Sequence, residues 1–258
     1  MSASLAVKLV LTPALVVLAS LIARRWGSRV GGWAVGFPFT SAPVALVLLL
    51  EHDSQFVATA AVATMLGVLS QAAFALVYAQ AARRLAPLAC LLLASAGFGL
   101  VTLALATMLV PTLVAPVLVA AGLTFALRAG PPAKEKAGPT QRPVWDLPAR
   151  ALVATAFVVA LTAAAGVLGP RVTGLLTPFP LYASVLAAFA HVQEGPVAAI
   201  GVMRGLISGL YGFAAFFLAL GVLVTSSAPL AFLVATSVIV VVQAFALRLL
   251  GSFSEPST

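Results

Sequence analysis

Long apolar runs separated by short polar breaks dominate the chain, and their lengths predict its elements. Residues 4–23 form the first run, closed by Arg24 and Arg25. A second covers 31–50, is interrupted at Phe37-Pro38 and ends in the polar patch Glu51-His52-Asp53. A third, 56–80, stops at Arg83-Arg84. Residues 85–127 are then apolar throughout, too long for one crossing, and Pro111-Thr112 divides them into two spans joined by a tight turn. Further runs follow at 151–168, 174–192, 196–224 and 229–250, and Phe179-Pro180 breaks the second of these. Runs of about 20 residues match a bilayer core at about 1.5 Å per helical residue. None alternates apolar with polar positions, as a membrane barrel strand would. The pattern predicts an all-α polytopic membrane helix bundle with about nine transmembrane helices.

Composition agrees with that class. Hydrophobic residues make up 62% of the chain and charged residues 8%, with a mean hydropathy of +1.16. A soluble domain needs far more charge to cover its surface. The net charge of +8 does not point to nucleic acid, because most cations sit in short loops between apolar runs. Cys90 is the single cysteine and lies in an apolar run, so neither an internal disulfide nor a cysteine metal site is expected. Residues 130–150, GPPAKEKAGPTQRPVWDLPAR, are rich in Pro, Gly and charge and read as a linker. Eleven Arg against three Lys, with abundant Ala, Val and Gly, suggests a GC-rich bacterial genome.

One stretch occurs twice. Residues 27–43 read GSRVGGWAVGFPFTSAP and residues 169–185 read GPRVTGLLTPFPLYASV. A shift of 142 brings Gly27, Arg29, Val30, Gly32, Phe37 and Pro38 onto Gly169, Arg171, Val172, Gly174, Phe179 and Pro180. The same shift places residues 5–23 on 147–165, which argues that the first run is a helix rather than a removable signal peptide. His52 meets His191 at a shift of 139, and Met65, Gly67 and Ser70 meet Met203, Gly205 and Ser208 at 138. The shift returns to 142 for Ala86-Pro87-Leu88-Ala89 on Ala228-Pro229-Leu230-Ala231. The implied organisation is a first four-helix repeat over 1–108, a linking helix and linker over 109–150, and a second four-helix repeat over 151–258.

An odd linking helix makes the two copies antiparallel, so an inverted repeat is expected in preference to a parallel one. Charge tests this separately. Nine spans place Arg24, Arg25, Arg29, Arg83, Arg84, Arg128, Lys134, Lys136, Arg142, Arg150 and Arg248 on one side, eleven of the fourteen cations. The remaining three are Lys8, Arg171 and Arg204. The cation-rich side is expected to be cytoplasmic, with the 130–150 linker and the C-terminus inside and the N-terminus outside a bacterial cytoplasmic membrane.

Candidate chemistry lies in few residues. Pro38 and Pro180 lack a backbone donor, so Phe37-Pro38 and Phe179-Pro180 can expose carbonyls to a substrate, or can simply kink their helices. Arg204 stands in an apolar run, where it can bind an anionic group or snorkel towards the headgroups. Gln71 and Tyr211 are isolated polar groups that can line a cavity or join helices. His52, His191 and Glu194 are candidates for a proton relay, with helix-end placement at the interface as the alternative. The chain has no phosphate loop, nucleotide fingerprint, metal-ligand spacing or nucleophile elbow.

The pattern Gly174-Leu175, Phe179-Pro180 and Ala190-His191 resembles the small four-helix bacterial inner-membrane proteins of the GlpM family. In the first copy Glu51 precedes His52 where that family has Ala. The resemblance implies a tandem fusion of two such units and a role connected with envelope polysaccharide, without implying a reaction. Two functions follow as expectations: a secondary transporter or exporter of a small metabolite, or a non-transporting accessory protein of the envelope. An enzyme is not expected, nor is a cofactor or metal. The expected partners are the lipid bilayer, a small-molecule substrate, and a second copy of the chain or an envelope-assembly protein.

Overall fold

In the computed structural model the described residues are 3–39, 41–108, 110–133, 145–156, 159 and 179–252. Every regular element among them is an α-helix. The order is α1 (Ala3–Trp26), α2 (Ser28–Val35), α3 (Ser41–Glu51), α4 (Ser54–Ala81), α5 (Pro87–Thr107), α6 (Ala115–Ala129), α7 (residues 146–156), α8 (Leu181–Glu194), α9 (Pro196–Leu223) and α10 (Ala228–Ser252). Four stretches are long and apolar enough to cross a bilayer: Ser54–Ala81, Pro87–Thr107, Pro196–Leu223 and Ala228–Arg248. Their outer faces carry Leu88, Leu92 and Leu100 on α5 and Val240, Val241 and Phe245 on α10, each more than half exposed. Water would not tolerate so continuous an apolar surface, and lipid does. The protein is a multi-pass helical membrane protein.

Proline sets several of the boundaries. It occupies one of the first two positions of α5, α6 and α9, where its missing N–H would be unpaired in any case. Asp53 caps α4 by accepting from the Phe56 amide at 2.7 Å. Gly27 and Gly195 join α1 to α2 and α8 to α9 at φ 92° and 88°, values that side chains with a Cβ avoid. α7 begins at 146, five residues before the apolar run at 151–168 that predicts it. Its first turn holds Asp146 paired with Arg150, a carboxylate at the positive end of the helix and an i,i+4 bridge.

α4 and α9 form the centre and run antiparallel, with Gly221 of α9 beside Ala58 and Ala61 of α4. α5 flanks α4 and α10 flanks α9. α1 and α7 also run antiparallel. Arg24 meets Asp146, while Val16 and Ala154, each eight residues away, share a small apolar cluster with Leu181 and Val185 of α8. The C-terminal ends of α1, α4, α6 and α8 therefore gather with the N-terminal ends of α2, α7 and α9 at the end from which the linker leaves. We call it the linker end.

The closest packing is between α2 and α9. Gly201, Gly205 and Gly209 of α9, at a spacing of four, lie on Ser28, Arg29, Trp33 and the C-cap Gly36 of α2, and Gly32 of α2 lies on the Val202 backbone. A Cβ on Gly32 would meet the Val202 carbonyl, and one on Gly205 the Arg29 carbonyl. Small residues let the two backbones touch, which maximises dispersion contact where lipid offers no hydrophobic drive for helix association.

Candidate functional site

The two Phe-Pro boxes fold alike. In the first, the Phe39 amide donates to the Phe37 carbonyl at 2.9 Å, and the Ala42 amide to the Pro38 carbonyl at 2.9 Å. In the second, Leu181 donates to Phe179 at 2.8 Å, and Ser184 to Pro180 at 2.9 Å. Each proline is thus the centre of a three-residue turn and the start of the next helix. Pro180, at φ −79° and ψ 60°, has the dihedrals of an inverse γ-turn. The sequence makes this turn because proline holds φ near −65° and has no N–H to donate to the preceding turn of chain. Both prolines are buried.

The rings beside them have different neighbours. Phe37 meets Trp33 edge-on at 5.2 Å and stacks on Phe39 at 5.3 Å. Phe179 takes Phe74 of α4 and Phe98 of α5 edge-on, both at 5.5 Å. One break is therefore set in the α2–α9 contact, where Gly36 lies on Gly209, and the other is set against the α4–α5 hairpin.

Arg204 lies in the third turn of α9 and reaches the end of α6. Its Nη1 donates to the carbonyls of Leu127 at 2.9 Å, Gly130 at 3.2 Å and Pro131 at 3.4 Å. A cation on the last carbonyls of a helix complements its dipole and satisfies its unpaired acceptors. Tyr211, two turns further along α9, shares a 2.8 Å hydrogen bond with Thr124 of α6. Gln71 is buried within α4. Gln243 of α10 donates to the Gly209 carbonyl at 2.9 Å, and its Oε1 is buried without a donor.

The histidines lie at opposite ends of α4. His52 is exposed and stacks on Phe56 with ring centroids 4.2 Å apart. Nδ1 of His191 stands 3.4 Å from the Tyr78 hydroxyl. Phe56 and Tyr78 are 22 residues apart on one helix, about 33 Å. The structure does not bring His52 and His191 into one relay. Glu194 accompanies His191 at the linker end, where its charge acts on Arg150.

The densest polar group among the described residues was not anticipated. Asp146, fully buried, accepts from Arg24 Nη2 at 2.6 Å, from Arg150 Nε at 2.8 Å and from the Gln193 amide. Arg150 also reaches Gln193 Oε1 at 3.3 Å and lies 5.0 Å over the Phe189 ring. Burial by itself would raise the Asp146 carboxyl, but the hydrogen bonds from Arg150, Arg24 and Gln193 outweigh it and hold the group below the usual carboxylate range. The network staples α1, α7 and α8 together. Only the i,i+4 spacing of Asp146 and Arg150 hints at it in the sequence; Arg24 and Gln193 carry no local sign.

Arg25, Arg84, Arg128 and Arg248 are exposed. A shallow apolar groove runs down the outer face of α6 past Val117, Ala121 and Phe125 to Arg128. The described residues contain no group of three or more His, Cys, Asp or Glu side chains placed to hold a metal. No protein-family model matches the chain, and neither a curated protein nor a solved structure matches it.

Proposed function

We propose that the protein is a secondary transporter or exporter of a small metabolite, built from two inverted four-helix repeats in a bacterial cytoplasmic membrane. The observation that carries this reading is the shared turn at Phe37-Pro38 and Phe179-Pro180, in matched helices that run in opposite senses. Matched pairs elsewhere behave likewise. α1 runs towards the linker end and α7 away from it, α4 towards it and α9 away, α5 away and α10 towards it. Broken helices entering from opposite faces offer backbone groups to a cargo near the bilayer centre, the usual arrangement in inverted-repeat carriers. No step of this function needs a cofactor, and we read the protein as a non-enzyme.

The test is a comparison of metabolite levels inside and outside cells that carry the protein, lack it, or carry Pro38→Ala together with Pro180→Ala. Transport predicts that the double variant reaches the membrane folded and behaves like the null. The alternative is an accessory protein for envelope polysaccharide, as the GlpM-like pattern implies. That reading wins if parent, double variant and null show the same metabolite levels while the double variant loses a partner in pull-downs. Orientation has its own measurement: a reporter at residue 138 is expected to read cytoplasmic and one at residue 53 external. Both on one side would sink the inverted arrangement.

A further inference from the structure

Three arginines from separate elements converge where α6 ends. Arg29 of α2 donates from Nη2 to the Ala133 carbonyl at 2.7 Å. Arg83, just after α4, donates from Nη2 to the Pro132 carbonyl at 3.2 Å. Arg204 of α9 holds the carbonyls of Leu127, Gly130 and Pro131. The acceptors at 131, 132 and 133 are consecutive, so their outer Cα atoms are at most about 8 Å apart. Gly205, the neighbour of Arg204, packs on the Arg29 carbonyl, which sets Arg29 and Arg204 side by side at the helix crossing.

Among the described residues, the salt bridges join Asp146 to Arg24 and Arg150 and none reaches Arg29, Arg83 or Arg204. Asp146 is taken by Arg24 and Arg150, the charge of Glu194 acts on Arg150, and Glu51 and Asp53 sit at the far end of α4. Among the described residues, the partners of Arg29, Arg83 and Arg204 are backbone carbonyls. Carbonyls occupy a few of the five N–H donors on each guanidinium but leave the net charge in place. Like charges held together in a partly buried setting raise each other's energy, and a bound anion reverses that sign. Guanidinium forks bind phosphate and carboxylate oxygens in pairs, and three clustered cations suit the higher charge of a phosphate.

We propose that Arg29, Arg83 and Arg204 form a binding site for a phosphate-type oxyanion, presented either by an anionic phospholipid headgroup or by a water-soluble phosphate. The site is separate from the Phe-Pro boxes and does not depend on transport.

The experiment uses the full chain purified in a maltoside detergent, which has no phosphate of its own. Inorganic phosphate and phosphatidylglycerol are titrated separately, against chloride at equal ionic strength and against phosphatidylcholine. Binding is read as a rise in Tm and as adducts retained in native mass spectrometry. Inorganic phosphate and phosphatidylglycerol both binding, or either one alone, supports the site. Saturation by inorganic phosphate identifies a soluble ligand, and binding of phosphatidylglycerol alone identifies a headgroup. Arg83→Gln, exposed and so tolerated by the fold, is expected to weaken binding about tenfold, and Arg29→Gln with Arg204→Gln about a hundredfold. Arg248→Gln, which removes one charge elsewhere, is expected to bind like the parent. The proposal is overturned if neither probe exceeds its control, or if Arg83→Gln and the double variant bind as the parent does.

Discussion

Arg24 and Asp146, 122 residues apart in sequence, meet at 2.6 Å, and this pair ties the end of α1 to the first turn of α7. Asp146 is fully buried and Arg150 nearly so, whereas the Arg24 side chain keeps 28% of its exposure. Removing the shared acceptor strands a buried cation; removing one donor does not. Asp146→Asn is expected to cost about 3–5 kcal/mol, and Arg24→Gln about 1 kcal/mol. Heat-unfolding midpoints of the detergent-solubilised variants decide it. Equal effects would show that the network is not centred on Asp146.

The same carboxylate makes stability depend on pH. Its folded pKa lies below that of the unfolded chain, where a free Asp titrates near about 3.9. Above that value both states are ionised and the contribution is complete. As the pH falls through it towards the folded value, the unfolded state gains protons first and the contribution is lost. The Tm is expected to fall between about pH 5 and pH 3, more steeply in the parent than in Asp146→Asn. Identical slopes would refute the assignment.

The α2–α9 contact leaves no room for a methyl group. Gly32→Ala and Gly205→Ala press a Cβ into backbone carbonyls, which cannot rotate aside as a side chain could. Each is expected to cost at least the upper part of the usual overpacking range, about 3 kcal/mol. Gly99 of α5 has nothing within 4 Å of its Cβ position, so Gly99→Ala is expected to stabilise its helix by about 0.5–1 kcal/mol. Size-exclusion profiles and Tm values of the three variants provide the comparison.

Gly195 isolates a purely conformational effect. Its φ is 88° and its Cβ position is open. Gly195→Ala is expected to cost about 1–3 kcal/mol from backbone strain alone. A Tm equal to the parent's would mean that the α8–α9 joint can relax to negative φ.

Pairing between α6 and α9 can be measured separately. Tyr211→Phe removes the hydroxyl that meets Thr124 at 2.8 Å. Interhelical hydrogen bonds within a bilayer contribute about 0.6 kcal/mol, so a small loss is expected. Thr124→Val should add little to it, since either change breaks the same bond. Additive losses in a double-mutant cycle would disprove the pairing.

What the sequence by itself determined is local. The long apolar runs predicted α4, α5, α9 and α10 to within a few residues, because a helix in lipid must satisfy its own backbone and needs a set length to span. The Phe-Pro boxes were legible for a similar reason: proline fixes the turn and starts the helix that follows. The tertiary structure decided which distant groups meet. Arg204 was visible as a charge in an apolar run, but its acceptors lie 73 to 77 residues away on the end of α6. Nothing local in the sequence pairs Gly201, Gly205 and Gly209 with the backbone of residues 28–36, on which they pack. Asp146 read as one residue of a polar linker until α1 and α8 closed around it. Backbone geometry and solvent periodicity act over a few residues. The partner of a buried charge, or of a bare stretch of backbone, depends on how whole helices cross.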